Sequence, residues 1–489
     1  MKTASVKKNF LYSTFFEIIS VITPFITAPY LSRVLGAEGI GIQSYTTSVQ
    51  TYFSMFAALG TLSYGAREIA QNRDDQYKRS KLFWEIELMT VISSLICLAG
   101  WGILILSTSQ YREFYIILTL NLFATMVDIT WFFKGLEQFR LIVIRNFIIK
   151  MINIGAMFLF VKDKDDLLLY VIILSTTTLL SSISVWSYLP KYIIKINPKE
   201  MNIQPHFKET MIYFIPTIAT SIYTILDKTL IGLITQKASE NGYYAQAEKV
   251  INMAKSVVFT SINSVVGVRI SYLFSEKKFD EIHRRIENSI NYILFMGFAC
   301  MFGIIGVAKN FVPAFFGQGY ENVVELLYLF SPIVVIIGVS NCLGSQFYTP
   351  SGKRKQSAKY IIIGSGVNLI LNLVLIPQFA SYGAAVASII AELTITVLYI
   401  RNCEGYVTPL LLCKCGIKKI ISGLIMMSVV MVVGNILEVN LFIKLGLQVL
   451  SGILTYFCML LLLRDHWCID MIKYNLLERI ARIKKNKGD

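Results

Sequence analysis

The sequence predicts an all-α, polytopic membrane bundle of about 14 transmembrane helices, and three observations predict it. The 489 residues are 55% hydrophobic and only 16% charged, whereas soluble globular chains carry about 25% charged residues; the mean hydropathy is +0.58. Apolar runs of roughly 17 to 25 residues, each enough to cross a hydrocarbon core about 30 Å thick, recur from end to end. The lysines and arginines between those runs fall almost entirely on alternate connections.

Charges and turn residues mark off the helices in order. The first, 10–33, runs from Lys7-Lys8 to Arg33, and the second, 42–66, from the glycines Gly36, Gly39 and Gly41 to Arg67. Lys81 opens 82–106, Arg112 and Lys134 bracket 114–133, Arg140 and Lys162 bracket 141–161, and 167–189 ends at Lys191. A second set begins with 209–234 between Lys208 and Lys237, then 244–273 before Lys277-Lys278, and 288–308 between Arg285 and Lys309. It continues with 321–347, with 357–376 after Lys353-Arg354-Lys355, and with 381–401. Helices 418–437 and 441–463 precede a basic tail. The N-terminal lysines look like a signal-peptide leader, but the run after them reaches spanning length without an A-x-A site, so it is taken as helix one.

An even number of spans puts both termini on one side, and about 29 Lys/Arg in the connections of that side face about 5 on the other. By the positive-inside rule both termini are cytoplasmic. The +15 net charge is then mostly topology. The tail suits retention and attraction to anionic headgroups, and no nucleic-acid partner is expected. The eight cysteines show no paired framework; only Cys413 and Cys415 are close in sequence, and core thiols account for them. His206, His283 and His466 are far apart, so no metal site is expected. No HExxH, nucleophile elbow, P-loop or dinucleotide fingerprint appears. The chain is not expected to be an enzyme or to carry a cofactor.

Shifting the sequence by 202 lays Glu38 on Glu240, Gly65 on Gly267 and Arg67 on Arg269; a shift of 215 lays Phe132 on Phe347 and Asn153 on Asn368. A common register over six predicted spans makes two parallel repeats, related by a pseudo-twofold along the membrane normal. The expected organisation is an N-lobe, 1–203, a C-lobe, 204–405, two further helices in 406–463, and the cytoplasmic tail 464–489. A cavity between two such lobes is the default transport site.

Ionisable groups at membrane depth are costly and normally face a bundle interior or a water-filled cavity. Helix seven carries Tyr213, Thr217, Thr220, Thr224 and Asp227 at spacings of three and four, with Lys228 beside them. Helix eight presents Lys249, Asn252, Ser256, Thr260 and Asn263 on one face, with Lys255 alongside. At 1.5 Å per residue, Lys255 lies roughly 18 Å and Lys249 about 9 Å from the outer end. Lys150, Asp128 and Glu392 come from helices five, four and twelve. Cations exceed carboxylates in this set, which favours an anionic ligand such as a phosphate. The competing explanations are local neutralisation for Asp227-Lys228 and snorkelling for the lysines. Pro24, Pro29, Pro216 and Pro332 interrupt helices and can serve either as bends between access states or as static kinks.

Four short motifs carry a resemblance: Arg33-Val-Leu-Gly-Ala-Glu-Gly-Ile-Gly41, Trp131-Phe-Phe-Lys-Gly-Leu-Glu137, Asp227-Lys228, and Gly242-Tyr-Tyr-Ala-Gln-Ala247. In order and layout the whole chain resembles the polysaccharide-repeat flippases (Wzx type) of the polysaccharide transporter branch, within the superfamily of multidrug antiporters and lipid II flippases. The resemblance implies a two-lobe bundle that moves an undecaprenyl-diphosphate-linked oligosaccharide from the cytoplasmic to the outer leaflet by alternating access, for capsule, O-antigen or exopolysaccharide synthesis. It places Arg33, Lys228 and Lys249 inside family motifs. Lys150 and Lys255 rest only on their depth in the membrane; together the substrate-binding candidates are Lys249, Lys228, Lys255, Lys150, Arg33 and Asn252, and the ion-coupling or charge-pair candidates are Asp227, Asp128 and Glu392. Coupling to H⁺ or Na⁺ and contact with a polysaccharide polymerase and glycosyltransferases are expected of such a protein. A lipid II flippase or a multidrug antiporter remains the alternative. A multidrug antiporter would normally have twelve spans and a carboxylate-dominated cavity, and a polymerase or ligase a large external loop.

Overall fold

The computed structural model describes the backbone of residues 6–473 and, within them, all side chains except those of 6–18, 20–21, 215–217, 219–224 and 260–269. Among the described residues there is helix and connection but no strand. Closed helices satisfy every backbone donor and acceptor within the segment, as a hydrocarbon solvent requires. Thr217, Thr220, Thr224 and Pro216, with Thr260 and Asn263, have side chains outside the described residues, as does the tail from 474.

In chain order the helices are α1 Val6–Ala58, α2 Thr61–Gln71, α3 Gln76–Ser107, α4 Arg112–Met126, α5 Thr130–Gly135, α6 Phe139–Phe160, α7 Leu167–Ser184 and α8 Gln204–Thr235. Then come α9 Ala238–Ser275, α10 Phe279–Phe315, α11 Glu321–Phe330, α12 Ile333–Leu343, α13 Arg354–Arg401, α14 Pro409–Ile436 and α15 Leu441–Leu462. Eight helical segments among the described residues are long and apolar enough to cross a membrane, and a ninth is added if α11 and α12, bent by 41° around Ser331-Pro332, form one span.

The long helices are broken where the chain permits it. Straight, the 53 residues of α1 would run about 80 Å, more than twice a bilayer core. Gly36 interrupts it at φ 69°, a left-handed conformation that glycine adopts without a Cβ penalty. Pro24 and Pro29 lie within the helix; the break falls at the glycine. The 48 residues of α13 are divided likewise at Ala380, three positions after Pro377. Its second half starts under an acidic cap, for Glu240 accepts hydrogen bonds from the Ser381 N–H (3.2 Å) and hydroxyl (2.6 Å).

Contacts group the chain into two compact units: residues 1–245 with 372–384, and residues 246–371 with 385–489. In unit one, a close aromatic core forms around Trp131, Phe132 and Phe133 of α5 and Phe83 of α3, with Trp186 and Tyr192 against it. Two glycines admit this packing. A Cβ at Gly65 would strike the Trp131 ring, and one at Gly135 would lie 2.7 Å from the Ala66 carbonyl oxygen. In unit two, α10, α14 and α15 meet through Phe295, Phe302, Met426, Val430 and Tyr456, and Tyr456 donates to the Phe295 carbonyl at 2.9 Å. Leu106, Leu159, Ile436 and Leu462 are left largely exposed, the outward surface that lipid covers. In lipid such helices are held by close packing and internal hydrogen bonds rather than by a hydrophobic force between them.

Candidate functional site

Unit one contains a polar groove among its apolar helices. One part, about 450 Å³, is lined by Gln50, Thr51 and Ser54 of α1, Thr61 of α2, Asn121 and Thr125 of α4, Asp128 and Trp131. An adjoining part, about 480 Å³, is lined by Asp128, Thr130, Arg145, Asn146, Lys150 and Asn153, with Thr177, Thr178, Ser181 and Ser182 of α7. The two share Asp128, Thr178 and Ser182. Hydroxyls and amides line a surface able to exchange hydrogen bonds with sugar hydroxyls. Arg145 and Lys150 add basic side chains to that lining.

Asp128 was expected within an uninterrupted helix four; instead it occupies the gap between α4 and α5. The cause is local. The helix ends at Met126, the released Val127 carbonyl is taken up by the Trp186 indole N–H at 2.8 Å, and Asp128 Oδ1 accepts from the Thr130 N–H at 2.9 Å. A carboxylate at a helix break suits the bare N–H groups of the helix that follows. Lys150 borders the same groove as Asp128, so the structure brings these two candidates together.

Two further groups in this unit were not singled out in the sequence. Arg145 on α6 spends Nε and Nη2 on Asn146 Oδ1 at 3.1 and 2.6 Å, while its buried Nη1 has no hydrogen-bond partner. Glu87 on α3 is 3% exposed, and neither carboxylate oxygen has a hydrogen-bond partner. Glu87 and Arg145 both lie within electrostatic reach of Asp128. The available signal was an acid and a base inside apolar runs.

A second polar node in unit one surrounds Asp227 of α8. The carboxylate is buried, accepting from the Tyr244 hydroxyl of α9 and from Asn372 Nδ2 of α13 at 2.6 Å. Its neighbour Lys228 is half-buried, and the Lys228 carbonyl accepts from Asn241 Nδ2 at 2.8 Å. Ser48 and Thr229 hydrogen bond at 2.9 Å nearby on α1 and α8. Two donors from two helices on one buried carboxylate fit the cost of leaving such a charge unpaired. Tyr213, which the sequence placed on the same helical stripe, accepts a hydrogen bond from Arg67 of α2. Arg33 is exposed, just ahead of the Gly36 break.

In unit two, Lys249 and Lys255 of α9 are half-buried and Asn252 is exposed. Lys255 lies within electrostatic reach of Glu248 and Glu392. Glu392 of α13 is buried, and its carbonyl accepts from the Thr396 hydroxyl at 2.8 Å. Among the described residues, no group of three or more His, Cys, Asp or Glu could hold a metal ion.

Comparison with known proteins places this architecture. A model of the family described as "Polysaccharide biosynthesis protein" matches residues 6–267. A provisionally named O-antigen transporter of Escherichia coli (strain K12) is 24% identical over 406 residues, 81% of this chain and 97% of that protein. Among solved structures, the lipid II flippase MurJ in an inward closed conformation superposes with a TM-score of 0.73 at 16% identity, over 94% of this chain and 99% of that one. An inward-facing MATE multidrug resistance transporter of the MOP superfamily superposes with a TM-score of 0.55 at 11% identity, over 84% and 98%. With its multi-pass helical fold and a family match over more than half its length, this chain belongs to the polysaccharide biosynthesis protein family.

Proposed function

We propose that the protein is a flippase that carries an undecaprenyl-diphosphate-linked oligosaccharide repeat unit from the cytoplasmic to the outer leaflet of a bacterial cytoplasmic membrane. The carrying observation is the match to the polysaccharide family over residues 6–267, whose matched part contains the hydroxyl- and amide-lined groove with Arg145 and Lys150. A diphosphate with several sugars cannot cross hydrocarbon unaided, so a protein must offer the head a polar path while the polyprenyl tail stays in lipid. Lys249, Lys228, Lys255, Lys150 and Arg33, with Asn252, hold the diphosphate and sugars. Asp227, Asp128 and Glu392 are the sites of coupling to H⁺ or Na⁺. The mechanism is alternating access between two six-helix lobes, with fourteen crossings and both termini cytoplasmic. A polysaccharide polymerase and glycosyltransferases are its functional neighbours.

The test is deletion of the gene and restoration with wild type or with a Lys249→Gln/Lys255→Gln variant, measuring surface polysaccharide and lipid-linked repeat units held in the cytoplasmic leaflet. Loss of polymer with trapped lipid-linked units, restored only by wild type, is the expected result. Unchanged polymer in the deletion strain, with no trapped units and no second transporter, rejects the proposal. Rescue of cells lacking their lipid II flippase would reassign the substrate to lipid II, and restored drug efflux would reassign it to multidrug export.

A further inference from the structure

Unit one buries a carboxylate that glycan binding does not employ. Glu87 stands eleven positions beyond Gln76 on α3, about 17 Å along the helix, and is 3% exposed. Both of its oxygens lack a hydrogen-bond partner. The nearby charged group is of the same sign: Asp128, which lines the groove and already accepts from the Thr130 N–H. Their chain neighbours Ile86 and Ile129 pack in one core, and two ionised carboxylates within electrostatic reach, one of them buried without a hydrogen-bond partner, cost far more than one carboxylate and one neutral acid. We propose that Glu87 and Asp128 form a proton-binding pair, with Glu87 holding the proton and Asp128 exchanging it with water in the groove.

The step is a simple proton transfer. An O–H bond of a hydronium ion in the groove breaks, one forms on an Asp128 oxygen, and the proton passes to a Glu87 oxygen, taking the pair from two negative charges to one. The surrounding charges leave this role to the pair. Arg145 on α6, which lines the groove, lies within electrostatic reach of Asp128. Glu85, on the same helix, is engaged elsewhere: it binds His206 of α8 at 2.9 Å and the Asn202 N–H at 2.7 Å, while His206 binds Tyr64 of α2 at 2.6 Å. Tyr213 of α8 is bound by Arg67 of α2, and Tyr52 of α1 is an uncharged phenol. The pair rests on the flippase proposal only for its purpose, which is to make the proton the coupling ion.

The test needs no glycan, so its failure is distinct from failure of the flippase reading. Infrared spectra of the full chain in lipid nanodiscs, titrated with pH, read protonated carboxyl groups directly through their C=O stretch. The expected result is a protonated-carboxyl band at neutral pH that Glu87→Gln abolishes and Glu87→Asp restores at a shifted frequency. Asp128→Asn, which removes the like charge, should lower the midpoint of that band by about one pH unit or more, the coupling expected of interacting sites. The same band in wild type and Glu87→Gln, or a midpoint unmoved by Asp128→Asn, overturns the proposal. Should Glu87→Gln fail to insert, the Asp128→Asn midpoint decides alone.

Discussion

Single buried polar groups set the strongest residue-level expectations. Asn372 donates to Asp227 at 2.6 Å, so Asn372→Leu should destabilise the protein by about 1–3 kcal/mol, the usual penalty for stripping a partner from a buried acceptor. Thermal unfolding in detergent measures it, and an unchanged midpoint would show that the bond carries no stability. In unit two, Lys419 is fully buried, 3.3 Å from Asp465 and 3.1 Å from Asn291 Oδ1. Lys419→Met leaves Asp465 buried without its cation and should cost about 3–5 kcal/mol, whereas Lys419→Met with Asp465→Asn should recover most of that. Asp227 was recognisable in sequence because it stands well inside an apolar run. Glu87 and Arg145 were not, because they stand only five and four positions inside the predicted starts of their helices, where a long side chain can reach the surface. The structure extends α3 back to Gln76 and α6 to Phe139, which places both groups deeper.

Among helices, close backbone approach is decided by a few glycines. A Cβ at Gly41 would collide with the Ala238 carbonyl oxygen of α9, and a Cβ at Gly242 with the Ala37 carbonyl oxygen of α1. The two contacts are reciprocal, so the first turns of the second half of α1 and of α9 cross at a glycine from each side. Gly41→Ala should therefore force the helices apart and lower both the yield and the thermal midpoint of the purified protein. Gly102→Ala is the control: nothing lies within 4 Å of its Cβ position, and alanine is about 1 kcal/mol the better helix former, so its midpoint should hold or rise. Equal behaviour of the two variants would refute the crossing. The motif Trp131–Glu137 likewise has a structural explanation. Its aromatic residues fill the core against α3, and Gly135 lets α5 lie on α2. Each predicted helical segment coincides with helix in the structure, since runs of spanning length are explicit in composition. The end points were less legible: helix two stops at Ala58, where Gly60 turns at φ 76° and a new helix begins, though the apolar pattern runs on to 66.

For the whole molecule, charge asymmetry yields a topology prediction. Alkaline phosphatase fused after residues 110, 163 or 237 should be active outside the cytoplasm, and fusions after 74, 197 or 277 should be inactive; the reverse pattern would invert the orientation drawn from the Lys/Arg count. The amino-acid sequence alone established a helical, membrane-spanning protein of the polysaccharide biosynthesis family, because span length, low charge and short ordered motifs are local properties of the chain. It also marked Asp128, Lys150 and Asp227 as groups that lipid would not tolerate. Tertiary structure decided which of them meet. Asp128 and Lys150 share a groove only because α4 breaks after Met126 and α6 and α7 line that gap, and Asp227 is satisfied by Asn372, which lies 145 positions away. Such partners depend on how distant helices cross and where they break, and no run of hydropathy encodes a contact between segments so far apart in the chain.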